Sequence, residues 1–496
     1  MGNCQNHSES VANAILDRWP MRDLFAFLIF GCTIVFFTSC GGKSPTTDPP
    51  PVTTPNPAPQ IVAISPNSSE QGGSGLTLSV VGSNFVSGST VNWNGNAIAP
   101  TNVASSTLLT INLPATALTT PSPDIVTVVN PSPGGGTSTT LSFAVPCPIP
   151  APASASNQSR ARVGAYYFDG WSSSLTNFHF QGLPFGPYQG RQPLSGWQDN
   201  GACSVEQQLA TAHNFGIDFF VFDWYFNTAV NEPGDNLNSA LQITHALPDR
   251  HGMQYAILYV DAAPFVVQPA DWSSAVAEWV GYMTDPAYTR VNGKPLLVII
   301  DITTMRTTFG SSAAVATALN QLRAAAQAAG LPGVYIAGGI SAGYDHNAQS
   351  GVFPDTSAAV ADGYDALTMY NYAWFGTVTG EQPFSILSES GKWIWSQAVA
   401  KSTLPFIPVA MDGWDPRPWS EGNVWFDRKP TDVSAFVNDA IAWTGANSQL
   451  RPEPSPTPPL ILVEAWNELG EGSYLIPTAN DGTTYGDSLA STLNGP

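Results

Sequence analysis

Charge is scarce in this chain. Asp, Glu, Lys and Arg make up 11% of 496 residues, and acids outnumber bases 37 to 17, for a net charge of −20. Grip on nucleic-acid phosphates needs basic clusters, and no Lys or Arg occurs between Lys43 and Arg160. Nucleic acid is therefore excluded as a partner. Histidine is scarce too: six are scattered along the chain and none forms an HExxH pair. No cysteine pair has zinc spacing. No glycine-rich phosphate loop opens the C-terminal region, so nucleotide cofactors have no cradle. Neither metal nor cofactor is expected. Long apolar runs are also missing. The stretch Leu24–Phe37 spans 14 residues, short of the roughly 18 or more that a membrane-spanning helix needs.

That short run has its own meaning. "RDLFAFLIFGCTIVFFTSC" sets Arg22 before the apolar stretch and ends in small residues and Cys40, the layout of a secretory signal. It looks like a bacterial lipobox with Cys40 as the lipidated first residue of the mature protein, and it fits a start at Met21. The expected address is the bacterial cell envelope, with the membrane touched through the lipid alone. Cys4 and Cys32 leave with the signal. Cys147 and Cys203 remain, and an oxidising compartment permits a disulfide between them.

Composition then divides the chain. Residues 1–39 are the signal, and residues 40–59 are a stiff Pro/Thr linker. Residues 60–146 hold short β-type runs ("LTLSVVG", "TVNWNG", "LLTINLP", "DIVTVVNP", "TLSFAV") separated by turn residues, with Asn94-Gly95 as a hairpin signal. They predict a small all-β immunoglobulin-like sandwich. A second linker covers residues 147–159.

From residue 160 to 496 the rhythm changes. Apolar runs at 163–168, 218–224, 255–260, 295–301, 334–339, 366–371, 406–411 and 460–466 alternate with helical patterns. "SVEQQLATAHNFG" has Ser204 as a candidate N-cap and Gly216 as a stop, and residues 313–330 and 430–445 are further helices. Near-continuous apolar strands alternating with helices predict a parallel sheet buried on both faces. Eight such units predict an α/β fold, a (β/α)8 TIM barrel, with an open doubly wound sheet as the alternative. The protein is expected to be a monomer.

Barrel enzymes act at the C-terminal ends of their strands. Those ends carry Tyr166, Asp169 and Trp171; Asp223, Trp224 and Tyr225; Asp261; Asp301; Tyr370 and Asn371; Trp414; and Trp466, Asn467, Glu468 and Glu471. Aromatic faces stack on sugar rings, and carboxylates and amides bind hydroxyl pairs, so the set predicts a carbohydrate cleft. Glycoside cleavage needs one protonated acid and one ionised acid, and Glu468 and Glu471 have that chemistry. Two acids in the first turn of a helix after strand eight, favoured by the helix dipole, are the competing explanation. His179 and His346 follow strands and are weaker cleft candidates. "NDGTTYGD" (480–487) is a turn or a calcium loop, with the turn preferred.

"IVAISPNSSEQGGSGLTLSVVGSNF" resembles the start of the IPT/TIG immunoglobulin-like family, in Ser65-Pro66 and Gly82 to Phe85. Such domains are spacers or binding modules. "AWNELGEGSYLIP", "VGAYYFDGW", "LATAHNFGIDFFVFDWY" and "PVAMDGWDPRP" are similar to glycoside hydrolase family 99 and its WbsX-like relatives. Leu469 and Gly470 depart from that pattern, Glu464 is an unusual acid within strand eight, and the wording also resembles family 71 α-1,3-glucanases. The resemblance implies a retaining, endo-acting glycosidase on α-linked mannose- or glucose-containing substrates. It also implies a route through a 1,2-anhydro sugar, with Glu468 as base toward the 2-hydroxyl and Glu471 as acid and then base. A non-catalytic carbohydrate-binding lipoprotein and a glycosyltransferase-related protein are the other functions open at this point.

Overall fold

The computed structural model describes residues 54–69, 74–119, 122–145, 147, 149–151, 160–171, 178–183, 186–228, 236–372 and 374–495. The signal, Cys40 and most of the first linker lie outside them. No helix among the described residues is long and apolar enough to cross a membrane. The chain divides into two compact units at Pro148/Ile149.

The first unit is two packed antiparallel sheets. One orders the strands Gln60–Ser65, Leu76–Ser83, Leu108–Leu113 and Asn102–Ser105. The other is centred on Ser122–Asn130, which pairs with Thr90–Trp93, Gly136–Thr137 and Leu141–Val145. Alternating residues such as Leu78, Val80, Val91, Leu109, Ile111, Val126 and Val128 fill the core. The Asn94-Gly95 turn forms as its sequence predicts. Both residues have positive φ (49° and 82°), which two-residue hairpins require and which Asn and Gly tolerate.

The second unit is the barrel. Its strands are β1 (Arg162–Tyr167), β2 (Phe219–Trp224), β3 (Gln254–Tyr259), β4 (Lys294–Ile299), β5 (Tyr335–Gly339), β6 (Ala366–Thr368), β7 (Val409–Met411) and β8 (Leu460–Glu464). All neighbours are parallel, in the order β6-β5-β4-β3-β2-β1-β8-β7. The last gap is bridged where Leu367 meets Phe406, with Ile407 N–H donating to the Leu367 carbonyl at 2.9 Å. The sheet thus curls round into a barrel, and the open-sheet alternative falls away.

Helices cover its outside: α1 (Ala202–Asn214), α2 (Ser239–Ala246), α3 (Trp272–Met283), α4 (Ile302–Phe309), α5 (Ser312–Ala328), α6 (Ala359–Asp362), α7 (Phe384–Lys401), α8 (Pro430–Ala446) and α9 (Thr484–Leu493). The α1 helix begins two residues before Ser204. Gly201 is its N-cap, and Ser204 is buried inside the first turn, so the predicted capping role is corrected. Cys147 and Cys203 are both disulfide-bonded.

Candidate active site

The site grows from the end of β8. After Glu464 the chain folds back as a short antiparallel hairpin, in which Asn467 pairs with Tyr474 and Glu468 with Ser473. Glu471 sits in the connecting loop. A hairpin replaces the helical first turn that the sequence left open, so the dipole explanation of the acid pair does not hold.

Four groups pin this hairpin. The Asn467 amide accepts from Phe168 N–H at 2.9 Å and donates to the Phe168 carbonyl at 2.7 Å, extending the contact between the ends of β1 and β8. Arg191 donates to the Leu469 carbonyl at 2.8 Å and pairs with Asp415. Ser473 Oγ lies 2.6 Å from the Gly413 carbonyl. Trp171 adds its indole N–H to the Asn467 carbonyl at 2.9 Å.

Gly470 has a steric reason. A Cβ there would fall 2.0 Å from the Trp419 ring. Trp419 therefore occupies the place of a side chain at 470, stacked toward Trp171 with ring centres 6.4 Å apart. Leu469 is fully buried.

Glu468 and Glu471 are 5% and 2% exposed. Facing them are Asp223 from β2 and Tyr370 and Asn371 from the segment after β6. Tyr370 Oη lies 2.6 Å from Glu468 Oε1 and 3.0 Å from Asp223 Oδ2. A phenol has one hydrogen, so it cannot donate to both acids. Burial pushes the Asp223 carboxyl well above the usual carboxylate range, Glu471 adds to that, and the Tyr370 and Tyr225 contacts oppose it. With its carboxyl raised, Asp223 is a group that can supply a hydrogen to the phenol oxygen while the phenol donates to Glu468. The other Asp223 oxygen has no partner among the described residues. Asn371 Nδ2 reaches Glu471 Oε2 at 3.5 Å.

Tyr225 borders the same acids. Burial first, and the neighbouring acids after it, push its phenol well up, so it stays a neutral donor. Tyr166 packs on Tyr370 with ring centres 4.8 Å apart and donates to the Met369 carbonyl at 2.7 Å, which holds the β6 end in place. Tyr166, Asp223, Tyr225, Tyr370, Asn371, Glu468 and Glu471 thus come together. Trp414 is buried beyond β7, and its carbonyl accepts from Phe426 N–H.

Other predicted contacts face elsewhere. Trp224 points to the helix layer, where its indole donates to Glu278 on α3 and packs on Trp279. Trp466 does the same against α1, donating to Gln208 at 2.9 Å. Trp224 follows the inward Asp223 by one position, and strand side chains alternate. Asp169 accepts from Ala240 N–H at the start of α2. Asn467 and Trp171 support the hairpin. These five are corrected from sugar contacts to structural residues. Asp261 accepts from Asp301 N–H, and Asp301 caps α4.

Burial pushes the His179 imidazole down to about 4, so the ring is neutral. His346 pairs with Glu389. Asp481 accepts from Tyr474 within the 480–487 turn. No group of three or more metal-type side chains forms among the described residues. Arg191, Trp419 and Ser473 are missing from the sequence-based set. They sit in short turns and a two-residue strand, too brief to show a period, where only Arg191 stood out as one of few cations.

Residues 262–489 match the family model described as glycosyltransferase WbsX, and residues 59–145 match that of the IPT/TIG domain. Both are families that the sequence resembles. It is similar to the solved family 99 endo-α-mannosidase of Bacteroides thetaiotaomicron bound to bis-tris-propane. Identity is 14% over 68% of this chain and 97% of that one, with a TM-score of 0.46. A second structure of that enzyme gives 13% identity over 65% and 89%, with a TM-score of 0.44. A family 5 xyloglucanase of Bacteroides ovatus gives 10% over 88% and 100%, with a TM-score of 0.32. No curated protein matches the chain.

Proposed function

We propose that this protein is a retaining, endo-acting glycoside hydrolase for α-linked mannose- or glucose-containing polysaccharide or glycan, working outside the cytoplasm and tethered through lipid on Cys40. One observation carries the reading. The hairpin after β8 holds Glu468 and Glu471 in the buried mouth of a barrel, with Tyr370 donating to Glu468 and Asn371 against Glu471.

The chemistry follows the route that the sequence resemblance implies. Glu468, held by the Tyr370 hydrogen bond, takes the proton of the sugar 2-hydroxyl. That oxygen closes on C1 while the C1–O bond to the leaving group breaks. Glu471 gives its proton to the departing oxygen. Water then attacks C1, Glu471 takes its proton, and Glu468 returns the other proton to O2 as the ring of three opens. The configuration at C1 is inverted twice and so retained. Burial strengthens each of these charge interactions.

The test is reducing-sugar release by the mature chain from α-mannans and α-glucans, beside Glu468→Gln and Glu471→Gln. Turnover with a loss of about a hundredfold or more in both variants is expected for positioned acid–base groups. Undiminished turnover in the variants would move the chemistry to other residues. The family model's description favours a second reading, sugar transfer from an activated donor. Glycosyl transfer without hydrolysis would establish that one, and binding without either would leave a carbohydrate-binding protein.

A further inference from the structure

We propose that Glu464 is a positioning residue, held as the neutral acid, that locks the Glu468/Glu471 hairpin to the barrel through Ser473. The proposal rests on the catalytic reading of that pair.

Glu464 ends β8 and has no exposed surface. Three acceptor-type oxygens surround Ser473 Oγ: the Gly413 carbonyl at 2.6 Å, the Glu464 carbonyl at 3.1 Å and Glu464 Oε2 at 2.7 Å. The hydroxyl has one hydrogen. Carbonyls only accept, so the 2.6 Å contact with Gly413 takes it. The remaining 2.7 Å contact then needs a hydrogen from the carboxyl, with Glu464 Oε2–H donating to Ser473 Oγ. Gly413 thus orients Ser473, and Glu464 completes it. Ser473 pairs directly with Glu468 across the hairpin, so the lock acts on the strand that carries the acid.

The surroundings agree. Glu464 faces the acids Glu471, Asp412 and Glu468, and the phenols of Tyr166, Tyr370 and Tyr372 border it. The cation nearby, Arg428, is engaged by Asp412 and Asp481 and by the Tyr474 carbonyl. Oε1 of Glu464 has no partner among the described residues. An ionised carboxylate here would be buried among acids without a counter-ion, which is strongly unfavourable. Burial first, and Glu471 and Asp412 after it, push this carboxyl well above the ordinary range, against the Ser473 contact. Ionisation at high pH would break the lock and add charge beside both glutamates.

The test uses the full mature chain. Glu464→Gln keeps an N–H donor toward Ser473 and cannot ionise; Glu464→Ala keeps neither. The alanine variant is expected to lose tenfold or more in kcat with KM nearly unchanged. The glutamine variant should restore most of it and move the alkaline limb of the pH profile upward by a unit or more. Equal losses in both variants, or an unmoved limb, overturn the proposal. A measurement independent of turnover separates this from failure of the glycosidase reading. The infrared difference between wild type and Glu464→Gln at pH 7 should show loss of a protonated-carboxyl band, and loss of a carboxylate band instead overturns the proposal. Should the glutamine variant not fold, Ser473→Ala should shift that protonated band as its acceptor is removed. An unshifted band there also overturns the proposal.

Discussion

Tyr370 Oη lies 2.6 Å from Glu468 Oε1 and 3.0 Å from Asp223 Oδ2. The contact spans the barrel mouth from the end of β6 to the hairpin after β8, so it holds the Glu468 carboxyl in place. Asp223, on the other side of the same oxygen, ties the end of β2 into that contact.

Tyr370→Phe deletes that hydroxyl and little volume. A hydrogen bond to a charged group contributes about 1.5–3 kcal/mol, which corresponds to a loss of roughly ten- to a hundredfold in kcat/KM. Steady-state kinetics beside a thermal melt check this. A melt shifted strongly with unchanged kinetics would make Tyr370 a packing residue only.

Gly470 and Trp419 form a steric pair. Gly470→Ala forces the indole or the loop to move, at a cost of about 1–3 kcal/mol for overpacking, and should lower kcat/KM through displacement of Glu471. In a Trp419→Ala background the same alanine should add little further loss. A double-mutant cycle reads the coupling; full additivity would contradict the clash.

Arg191 donates to the hairpin loop and pairs with Asp415 under burial. Arg191→Ala leaves Asp415 to Arg417 alone and frees the Leu469 carbonyl, and losing a hydrogen bond from a charged group costs about 1.5–3 kcal/mol. The expected outcome is a Tm lower by several degrees together with reduced turnover. Arg191→Lys should recover only part, because an ammonium cannot reproduce the planar fork. Calorimetry and kinetics on both variants decide it.

Asp412 gives a pH signature. Burial raises its carboxyl to about 7, against the pull of Arg428 and Ser473. The folded value lies above the unfolded one of about 3.9, so the protonated form is the one that folding favours. Its stabilisation is complete below about pH 4 and is lost as pH rises through about 7. Tm should therefore fall between about pH 4 and 7, and more shallowly in Asp412→Asn. Parallel slopes in the two proteins would remove Asp412 as the source.

Trp224→Phe and Trp466→Phe test the helix-layer placement. Both should lower stability through lost packing and the indole bonds to Glu278 and Gln208, while KM for any substrate stays within about twofold, as for a group outside the cleft. A large rise in KM would return these indoles to the cleft.

Composition and pattern alone determined much here. Eight apolar runs with helices between them specify a parallel barrel, because strands buried on both faces must be apolar throughout. Regular short strands with Asn94-Gly95 specify the sandwich, and the acids beyond β8 mark the mouth. That same apolar continuity hides the phase of each strand. A run such as "FFVFDW" shows no alternation, so nothing in it says that Asp223 turns inward and Trp224 outward. Only the packing of helices on one face and the closing of the barrel on the other decide it. The hairpin of residues 467–474 was equally out of reach. It has no period to read, and its shape comes from Phe168, Arg191, Gly413 and Trp419, which lie far away in the chain. A short irregular segment with few local bonds takes its conformation from distant partners that satisfy its buried polar groups.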